Sequence, residues 1–542
     1  MNKKQKVQFG LMLALIIAVH MAILVGYGMQ KEGYHEDEYY SFWSSAGYEE
    51  PKPVGAYSWR TGPDLMSQFY VRDGDEFNFD AVVYNQVQDS HPPLYHLCLN
   101  VIMSLFSGSL FKWLGIGLNM IYSLGSLLGI TFFFYQLNEG KNRAKYALTA
   151  AAVYAVAPSV TSSVTFIRMY AMTSMLNVWY ACALLMAVRH LEGSRKKFAV
   201  WTVIGAAICY MSLLTHYFCL LLPGVLTIFA CIYALLTRKK KIILRMVLYG
   251  FSMLAGIALS ILTYPEALVD IYQDYRGTGV HDALYANDFG QRFVFFSGLL
   301  NKEAYGRLLP GVMTVLVIAC VAVIIYACRK WKELDTTERR CLYLYGSFTA
   351  ACFISAMILI KISLFLNDGC RYFYPVLAVF LPLTACFVIK AADLVLCSCK
   401  AKVSDKCMRM VWAVLAVLFM VPSVAGHMQG AVKFLYIGEN EKIAFAQEYK
   451  EYPALMLFDT EAIYRTWYRA DQIWDFHNIF YTDYAHLMVD TFDEPTIQSC
   501  DKLVVFMDAP TDVLDKLIEI NPNLDSYTLV RHDDLYYVYL LE

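Results

Sequence analysis

The chain has 542 residues, of which 58% are hydrophobic, and its formal net charge at pH 7 is −2. Soluble domains are about 45–50% apolar, so this composition argues against an ordinary soluble protein. A net charge so close to zero argues against a nucleic-acid partner. Most of the fifteen cysteines lie in apolar runs or short basic loops, where thiols behave as small hydrophobes, so they indicate no disulfide framework.

Discrete apolar runs, each about 18–25 residues long, match the thickness of a bilayer core. The first run follows MNKKQK and has no small-x-small cleavage site, so it predicts an uncleaved span rather than a signal peptide. We predict an all-α polytopic membrane protein with about eleven transmembrane helices. They cover approximately residues 8–28, 110–137, 145–160, 169–189, 197–214, 217–237, 243–264, 308–328, 341–361, 372–391 and 409–427.

The loops between these runs alternate in charge. Alternate loops, together with the N-terminus, hold about 24 Lys and Arg, and the positive-inside rule places them in the cytoplasm. The first long loop, about 30–109, has twelve Asp and Glu against four Lys and Arg, which indicates the outer face. We therefore expect a cytoplasmic N-terminus and a large first outer loop.

One further apolar stretch, residues 92–106, decides this topology. It is only about 15 residues long, and its polar residues recur at helical spacing along one face. We predict a helix that lies in the membrane interface and packs against the first loop. The polar residues are His96, Asn100, Ser104 and Ser107.

The region after the last span turns soluble in composition. Short apolar runs near residues 454, 502 and 535 alternate with helix-like stretches, a pattern typical of a small α/β domain. We therefore predict two domains, a transmembrane domain over 1–427 and an extracytoplasmic α/β domain over 428–542. A second outer loop is expected over about 265–307.

Three consecutive acids, Glu36, Asp37 and Glu38, follow the first span by a few residues. A carboxylate held at a membrane surface near other acids is a candidate general base. The alternative is a solvated acidic loop. A second polar segment, DSHPPLYH, contains Asp89 and His91, which either reach a polar site or simply cap the interfacial helix.

Two arginines are predicted in short outer turns between spans: Arg168 in SVTFIRMYAM and Arg371 in NDGCRYFYP. A planar guanidinium at the membrane surface suits a lipid-linked phosphate, which it can bind bidentately. The alternative is an interfacial anchor. Lys361 and His216 are weaker candidates, since snorkelling and packing explain such residues equally well.

Taken in order, these motifs resemble the GT-C glycosyltransferases, membrane enzymes that use polyprenyl-phosphate-linked sugars. The similarity is to the bacterial mannosyltransferase-like and aminoarabinose-transferase-like branches and covers about 430 residues. Each motif alone is weak, and their order makes the match more specific. The motifs are Asp37-Glu38 after the first span, the HPPLY segment His91–Tyr95, the hairpin Ile167–Ala171 and the turn from Arg371-Tyr372 to Pro375.

The resemblance implies an active site on the outer membrane face. Asp37, with Glu38 beside it, would be catalytic: Asp37 takes a proton from an acceptor hydroxyl, and the sugar is transferred with inversion. Arg168 and Arg371 would bind the donor phosphate. The substrate or acceptor region would contain Glu36, Asp89, His91, Tyr170 and Tyr372. A divalent metal is possible there, but the resemblance implies no cofactor with certainty.

The resemblance also implies a bacterial plasma membrane and an acceptor that is a cell-envelope glycan, a lipid or a protein. It names neither the sugar nor the lipid carrier. Because the acidic cluster is Glu-Asp-Glu, Glu36 is an alternative to Asp37 as the base. Two rival functions are a secondary transporter, which would place polar groups near the bilayer midplane, and a non-catalytic polysaccharide-assembly protein.

Overall fold

The computed structural model describes residues 2–47, 57–87, 89–140, 142–364, 366–398, 404–458, 467, 470–487, 491–508, 512–532 and 536–542. The chain divides into two compact units, which we call the membrane unit and the sheet unit. The membrane unit comprises Met1–Gly28, Gln86–Tyr95 and Gly115–Lys433. The sheet unit comprises Met29–Asn85, His96–Leu114 and Phe434–Glu542.

Helices dominate the described part of the chain. The first twelve are α1 (Lys3–Gln30), α2 (Glu36–Ser45), α3 (Gly62–Met66), α4 (Phe79–Val87), α5 (Leu94–Ser104), α6 (Trp113–Leu137), α7 (Arg143–Ala155), α8 (Pro158–Thr165), α9 (Tyr170–Arg189), α10 (Arg195–Leu213), α11 (Leu221–Thr237) and α12 (Lys240–Thr263). The others are α13 (Glu266–Tyr272), α14 (Tyr275–Tyr285), α15 (Phe289–Glu303), α16 (Leu309–Lys330), α17 (Thr336–Ile362), α18 (Tyr374–Ser398), α19 (Asp405–Met428), α20 (Glu439–Tyr449), α21 (Ala470–Ile473), α22 (Tyr484–Leu487), α23 (Pro495–Ser499) and α24 (Val513–Ile520).

Ten helical segments within the described residues are long and apolar enough to cross a membrane, and a bent pair, α7 with α8, makes an eleventh. The predicted set of about eleven spans is therefore confirmed. The bend of 55° follows from Pro158 at the start of α8, because proline interrupts the hydrogen bonding of a continuous helix. The segment that contains α18 has 94% of its apolar window buried, whereas α1 has 11%, so α18 is a central helix of the membrane unit.

The predicted interfacial helix is α5. Its 11 residues extend only about 16 Å at 1.5 Å per residue, too short for a hydrocarbon core of about 30 Å. His96 Nδ1 lies 2.9 Å from Ser44 Oγ, and Asn100 donates to the carbonyl oxygen of Ser45 over 2.8 Å. The Ser104 hydroxyl accepts from the backbone N–H of Phe77. Packing against the first loop is thus confirmed, while the position of α5 in the interface stays a prediction.

The sheet unit contains six strands. They are β1 (Trp59–Arg60), β2 (Ala454–Phe458), β3 (Ile479–Asp483), β4 (Leu503–Met507), β5 (Tyr527–His532) and β6 (Tyr537–Leu541). Their order is β1-β3-β2-β4-β6-β5, with β3, β2 and β4 parallel and the other pairs antiparallel. The three parallel strands are buried at every position, as expected for parallel strands covered on both faces.

The three apolar runs expected to form strands correspond to β2, β4 and β6, so the small α/β region is confirmed. Strand β1 comes from the first loop and pairs with β3, with Trp59 opposite Phe480. A two-residue strand leaves no periodic signal, and its position in the sheet depends on pairing across more than 400 residues. The predicted domain boundary at 427/428 stays a prediction.

Candidate functional site

The polar centre of the membrane unit is His91. Its Nδ1 lies 3.1 Å from Asp89 Oδ2, and its Nε2 lies 3.0 Å from Arg168 Nη2 and 2.5 Å from Arg276 Nη1. A guanidinium has only donors, so Nε2 accepts the hydrogen bond of Arg276, whereas Arg168 Nη2 also lies 3.5 Å from Nδ1 and is therefore against the ring. The proton therefore sits on Nδ1 and is donated to the Asp89 carboxylate. The imidazole is neutral and in a defined tautomer.

Electrostatics agree with this assignment. Burial, followed by the charges of Arg276 and Arg168, holds the pKa of His91 well below 6.5, although Asp89 acts in the opposite direction. Burial alone raises the pKa of Asp89, but His91 and the two arginines favour the carboxylate more strongly, so this pKa lies well below 3.8. At neutral pH, Asp89 is ionised and His91 is uncharged.

Arg168 lies in the four-residue turn between α8 and α9, as predicted, and is 2% exposed. The Asn119 amide holds this turn by donating to the carbonyl oxygen of Phe166 over 2.8 Å. Gly115 permits the close approach of α6, because a Cβ there would lie 2.0 Å from a methyl carbon of Ile167. The buried Asn119 amide and the absence of a side chain at Gly115, both on α6, thus fix the backbone beside Arg168.

Arg276 is in the first turn of α14, within the predicted second outer loop. The Asp274 side chain caps this helix by accepting from the backbone N–H of Arg276 over 3.1 Å. A Cβ on Gly277 would lie 2.3 Å from the carbonyl oxygen of Ile271 and 2.4 Å from that of Asp270, so α13 and α14 meet too closely for any side chain there. The sequence analysis does not single out Arg276, because α14 gives no motif that links it to His91.

Asp270 anchors α13 by accepting a hydrogen bond from the Tyr217 hydroxyl. This carboxyl group is 7% exposed, and burial, opposed by the Tyr217 hydrogen bond, raises its pKa to about 6. Asp274, Glu266 and Asp89 raise it further. Helices α13 and α14 thus contribute a carboxyl group with a raised pKa, Asp270, and the cation Arg276.

Arg371 lies in the 3-10 turn Gly369–Phe373 that leads into α18. Its Nη1 contacts Asp368 Oδ2 at 2.5 Å, and its guanidinium lies 5.6 Å from the centre of the Phe166 ring. Phe166 in turn stacks on Tyr170 with ring centres 5.8 Å apart. This aromatic contact links the Arg371 turn to the Arg168 turn.

The pKa of His216 shows the combined effect of these cations. Burial, followed by Arg168, Arg276 and Arg371, lowers its pKa from 6.5 to about 3. All three charged groups that contribute to that shift are arginines, so they lie near enough to His216 to disfavour its protonation. The His216 ring lies 5.8 Å from Tyr170 and 6.4 Å from His91, and Tyr372 lies 6.2 Å from Tyr170. We call Asp89, His91, Arg168, His216, Arg276 and Arg371 the arginine cluster.

The acidic motif belongs to the sheet unit. Glu38 is fully buried, and its Oε2 accepts from the backbone N–H of His35 at 2.6 Å and from Lys31 Nζ at 2.9 Å. Lys31 is equally buried and also donates to the carbonyl oxygen of Phe434 over 2.6 Å. Through these contacts, Glu38 caps α2 and neutralises Lys31, which is a structural role.

Asp37 and Glu36 are partly exposed, unlike Glu38. The Asp37 backbone N–H donates to His35 Nδ1 over 3.0 Å, which holds Asp37 in the first turn of α2. Its side chain, 17% exposed, lies 3.8 Å from the same imidazole. Asp37 is therefore a fixed and accessible carboxyl group, as a general base requires. Its catalytic role, and that of Glu36, stay predictions.

An apolar cavity of about 130 Å³ lies among α15, α16, α17 and α18. Phe373, two residues after Arg371, lines this cavity together with Phe293 and Ser297 of α15. In the described part of the chain, no group of three or more His, Cys, Asp or Glu side chains is arranged to hold a metal ion.

No protein-family model matches the chain, and no curated protein matches it in sequence. Solved structures do match. ArnT from Cupriavidus metallidurans, bound to undecaprenyl phosphate, is 14% identical with a TM-score of 0.53, and 97% of each chain is covered. ArnT in the apo state gives 15% identity and a TM-score of 0.52, again with 97% of each chain covered.

A third structure belongs to the archaeal oligosaccharyltransferase AglB from Archaeoglobus fulgidus, in complex with an inhibitory peptide and a dolichol-phosphate. It is 12% identical, with a TM-score of 0.51, and the match covers 87% of this chain and 64% of that one. The chain therefore has the GT-C fold. The resemblance and fold class predicted from the sequence motifs are confirmed, and at this level of identity the likeness concerns the GT-C fold alone.

Proposed function

We propose that the chain is a GT-C glycosyltransferase that moves a sugar from a polyprenyl-phosphate-linked donor to an acceptor hydroxyl. The observation that carries the proposal is the arginine cluster, in which Arg168 and Arg276 both contact the buried His91 ring and Arg371 lies over Phe166 of the Arg168 turn. Charge-assisted hydrogen bonds from arginine suit phosphate oxygens, and they strengthen where water is excluded.

The lipid part of the donor has a counterpart in the apolar cavity. Phe373 lines this cavity and belongs to the same 3-10 turn as Arg371. A phosphate at Arg371 would thus have an apolar space close by for the first part of a prenyl chain. The undecaprenyl phosphate of ArnT and the dolichol-phosphate of AglB are ligands of the same chemical kind.

The proposed reaction needs a base and a stabilised leaving group. The acceptor oxygen attacks the anomeric carbon, the bond from that carbon to the phosphate oxygen breaks, and its electron pair stays on the phosphate. Arg168, Arg276 and Arg371 stabilise the negative charge that develops there. The acceptor proton passes to Asp37, with inversion at the anomeric carbon. Glu38 supports Asp37 by holding the start of α2.

The remaining predicted site residues have supporting roles. Tyr170 and Tyr372 offer aromatic surfaces beside the cluster, where a sugar can stack. Asp89 acts through His91 rather than on the acceptor. Glu36 stays an alternative to Asp37, since both are partly exposed in the first turn of α2.

The proposed location is a bacterial plasma membrane, with the N-terminus in the cytoplasm and residues 428–542 outside. The distribution of Lys and Arg between the loops supports this orientation. An accessibility tag in the 265–307 loop, probed from outside intact cells, tests it. Labelling only after the membrane is broken would overturn the orientation.

The activity is tested by supplying membranes that contain the protein with radiolabelled polyprenyl-phosphate sugars. We expect wild type to transfer the label and Asp37→Asn to lose about 100-fold or more of the rate, within the 10²–10⁴-fold typical of general bases. Asp64→Asn is a matched control, because Asp64 is an exposed carboxyl group that caps α3 in the same loop. A secondary transporter would instead move the label across the membrane without forming a new glycoside.

A further inference from the structure

We infer that His91 is a positioning residue, a neutral imidazole in contact with both Arg168 and Arg276 that aims them at one phosphate group. The inference rests on the proposed function, and it assigns His91 a role different from acceptor or metal binding. His91 does not contact the substrate in this role. It sets the directions of the two side chains that do.

The first step concerns the two cations. Arg276 Nη1 lies 2.5 Å from His91 Nε2, and Arg168 Nη2 lies 3.0 Å from the same atom and 3.5 Å from Nδ1. Two guanidinium groups brought this close repel each other, and the neutral imidazole and the Asp89 carboxylate beside it offset part of that repulsion.

The second step concerns the tautomer. A histidine that carries its proton on Nε2 would present a donor to the Arg276 donor, and that contact would be lost. The Asp89 carboxylate accepts the Nδ1 proton and so leaves Nε2 as the acceptor. Asp89 is thereby a positioning residue for His91.

The third step concerns the backbone. Pro92 and Pro93 follow His91 and fix two successive φ angles. The backbone N–H of Leu94 donates to the carbonyl oxygen of Leu214 over 2.9 Å, which ties the segment to the loop that precedes His216. Upstream, the Tyr264 hydroxyl donates to the carbonyl oxygen of Gln86 over 3.1 Å. His91 is thus held on both sides within the membrane unit.

Protonation of His91 would remove the acceptor. The charged or titratable groups around it are Asp89 from its own segment, Arg168 from the α8–α9 turn, Arg276 from α14 and His216 from the loop after α10. Asp270 from α13 interacts with Asp89. The arginines oppose protonation of both imidazoles, so the contribution of His91 to lipid-phosphate binding should be constant near neutral pH and be lost only in clearly acidic solution. The phosphate monoester itself titrates at a second pKa of about 6, and that change is common to all variants.

The test measures the dissociation constant of undecaprenyl phosphate for the full chain in nanodiscs, between pH 4.5 and 8. His91→Ala removes the acceptor, whereas His91→Gln places a neutral, non-titrating carbonyl oxygen near the position of Nε2. We expect His91→Ala to weaken binding about 10-fold or more, the scale of a hydrogen bond to a charged group. His91→Gln should recover most of the affinity and decline less than wild type in acidic solution, where the phosphate, with its second pKa of about 6, titrates in both.

A second variant, Asp89→Asn, removes the charge that fixes the tautomer while leaving His91 in place. We expect affinity between those of His91→Gln and His91→Ala. Equal affinity for all three variants and wild type, or a His91→Gln variant as weak as His91→Ala, would overturn the inference. If His91→Ala does not fold, the affinities of His91→Gln and Asp89→Asn for undecaprenyl phosphate are compared instead. An Asp89→Asn variant that binds as well as His91→Gln contradicts the inference.

Failure of the proposed function gives a different result. In that case wild type neither binds undecaprenyl phosphate saturably nor transfers a sugar from its glycosylated form. If wild type does both and the His91 variants behave like it, only the positioning role fails.

Discussion

Two regions of this protein bury charge in opposite ways. In the sheet unit, Lys31 meets Glu38 at 2.9 Å, and both side chains are fully buried. In the membrane unit, Arg168 and Arg276 meet at a neutral histidine. The first arrangement is complete, since each charge has its opposite. The second places two arginines beside one carboxylate, Asp89, so positive charge is in excess among these three groups. A closed ion pair supports structure, whereas gathered cations support binding.

The largest expected effect concerns the closed pair. Lys31→Ala leaves the Glu38 carboxylate buried without its cation, so we expect the free energy of unfolding to fall by about 3–5 kcal/mol. Thermal unfolding in nanodiscs measures the change. The double variant Lys31→Met/Glu38→Gln removes both charges and keeps an acceptor for His35, so it should be closer to wild type. A double variant less stable than Lys31→Ala would contradict the pairing.

The next effect concerns the gathered cations. Arg276→Ala should lower kcat/KM for transfer about 100-fold or more, because it removes a donor aimed at the leaving phosphate. Arg276→Lys should restore little of the rate, since an ammonium cannot reproduce the planar fork. Stability should change much less than in Lys31→Ala. Arg307→Ala, an exposed arginine close in sequence, is the control and should retain the wild-type rate.

Gly277 offers a smaller test of the same cluster. A methyl group there would strike two carbonyl oxygens of α13, so we expect Gly277→Ala to cost about 1–3 kcal/mol and to raise KM for the donor by displacing Arg276. Gly279 lies two residues further along α14 with open space around its Cα, so Gly279→Ala is a matched control. Equal KM values for the two variants would contradict the prediction that the packing of α14 against α13 sets the position of Arg276.

The smallest expected effect is on the pH dependence of stability. The folded pKa of His91 lies well below 6.5, so the unfolded chain binds a proton that the folded chain rejects. The free energy of unfolding should therefore decrease as the pH falls below about 6.5. His216 acts in the same direction. Unfolding measured between pH 5 and 7 should show a weaker decrease for His91→Gln, and an unchanged slope would contradict a neutral His91.

Much of the fold could be predicted because bilayer spans leave a strong signal of length and composition. The short helix α5 was recognised from the polar stripe formed by His96, Asn100 and Ser104, which the structure shows packed on the first loop. Strand β1 was not predicted, because two residues carry no periodicity and its partner is distant in sequence.

The candidate site was predictable only in part. Arg168 and Arg371 were predicted in short turns, and they lie there. The contact of Arg276 with His91 joins residues 185 positions apart, and no local pattern encodes it. Glu38 was predicted to be catalytic because it adjoins Asp37. Its contact with Lys31, which also donates to the carbonyl oxygen of Phe434, depends on tertiary packing, and its catalytic role stays a prediction.

The most direct test of the central claim is equilibrium binding of undecaprenyl phosphate to the full chain in nanodiscs. The variants to compare with wild type are Arg168→Ala/Arg276→Ala and the control Arg307→Ala. The account predicts saturable binding by wild type and the control, and loss of that binding in the double variant while its fold is retained. Equal binding by the double variant, or no saturable binding by wild type, would contradict the claim that the arginine cluster holds a lipid-linked phosphate.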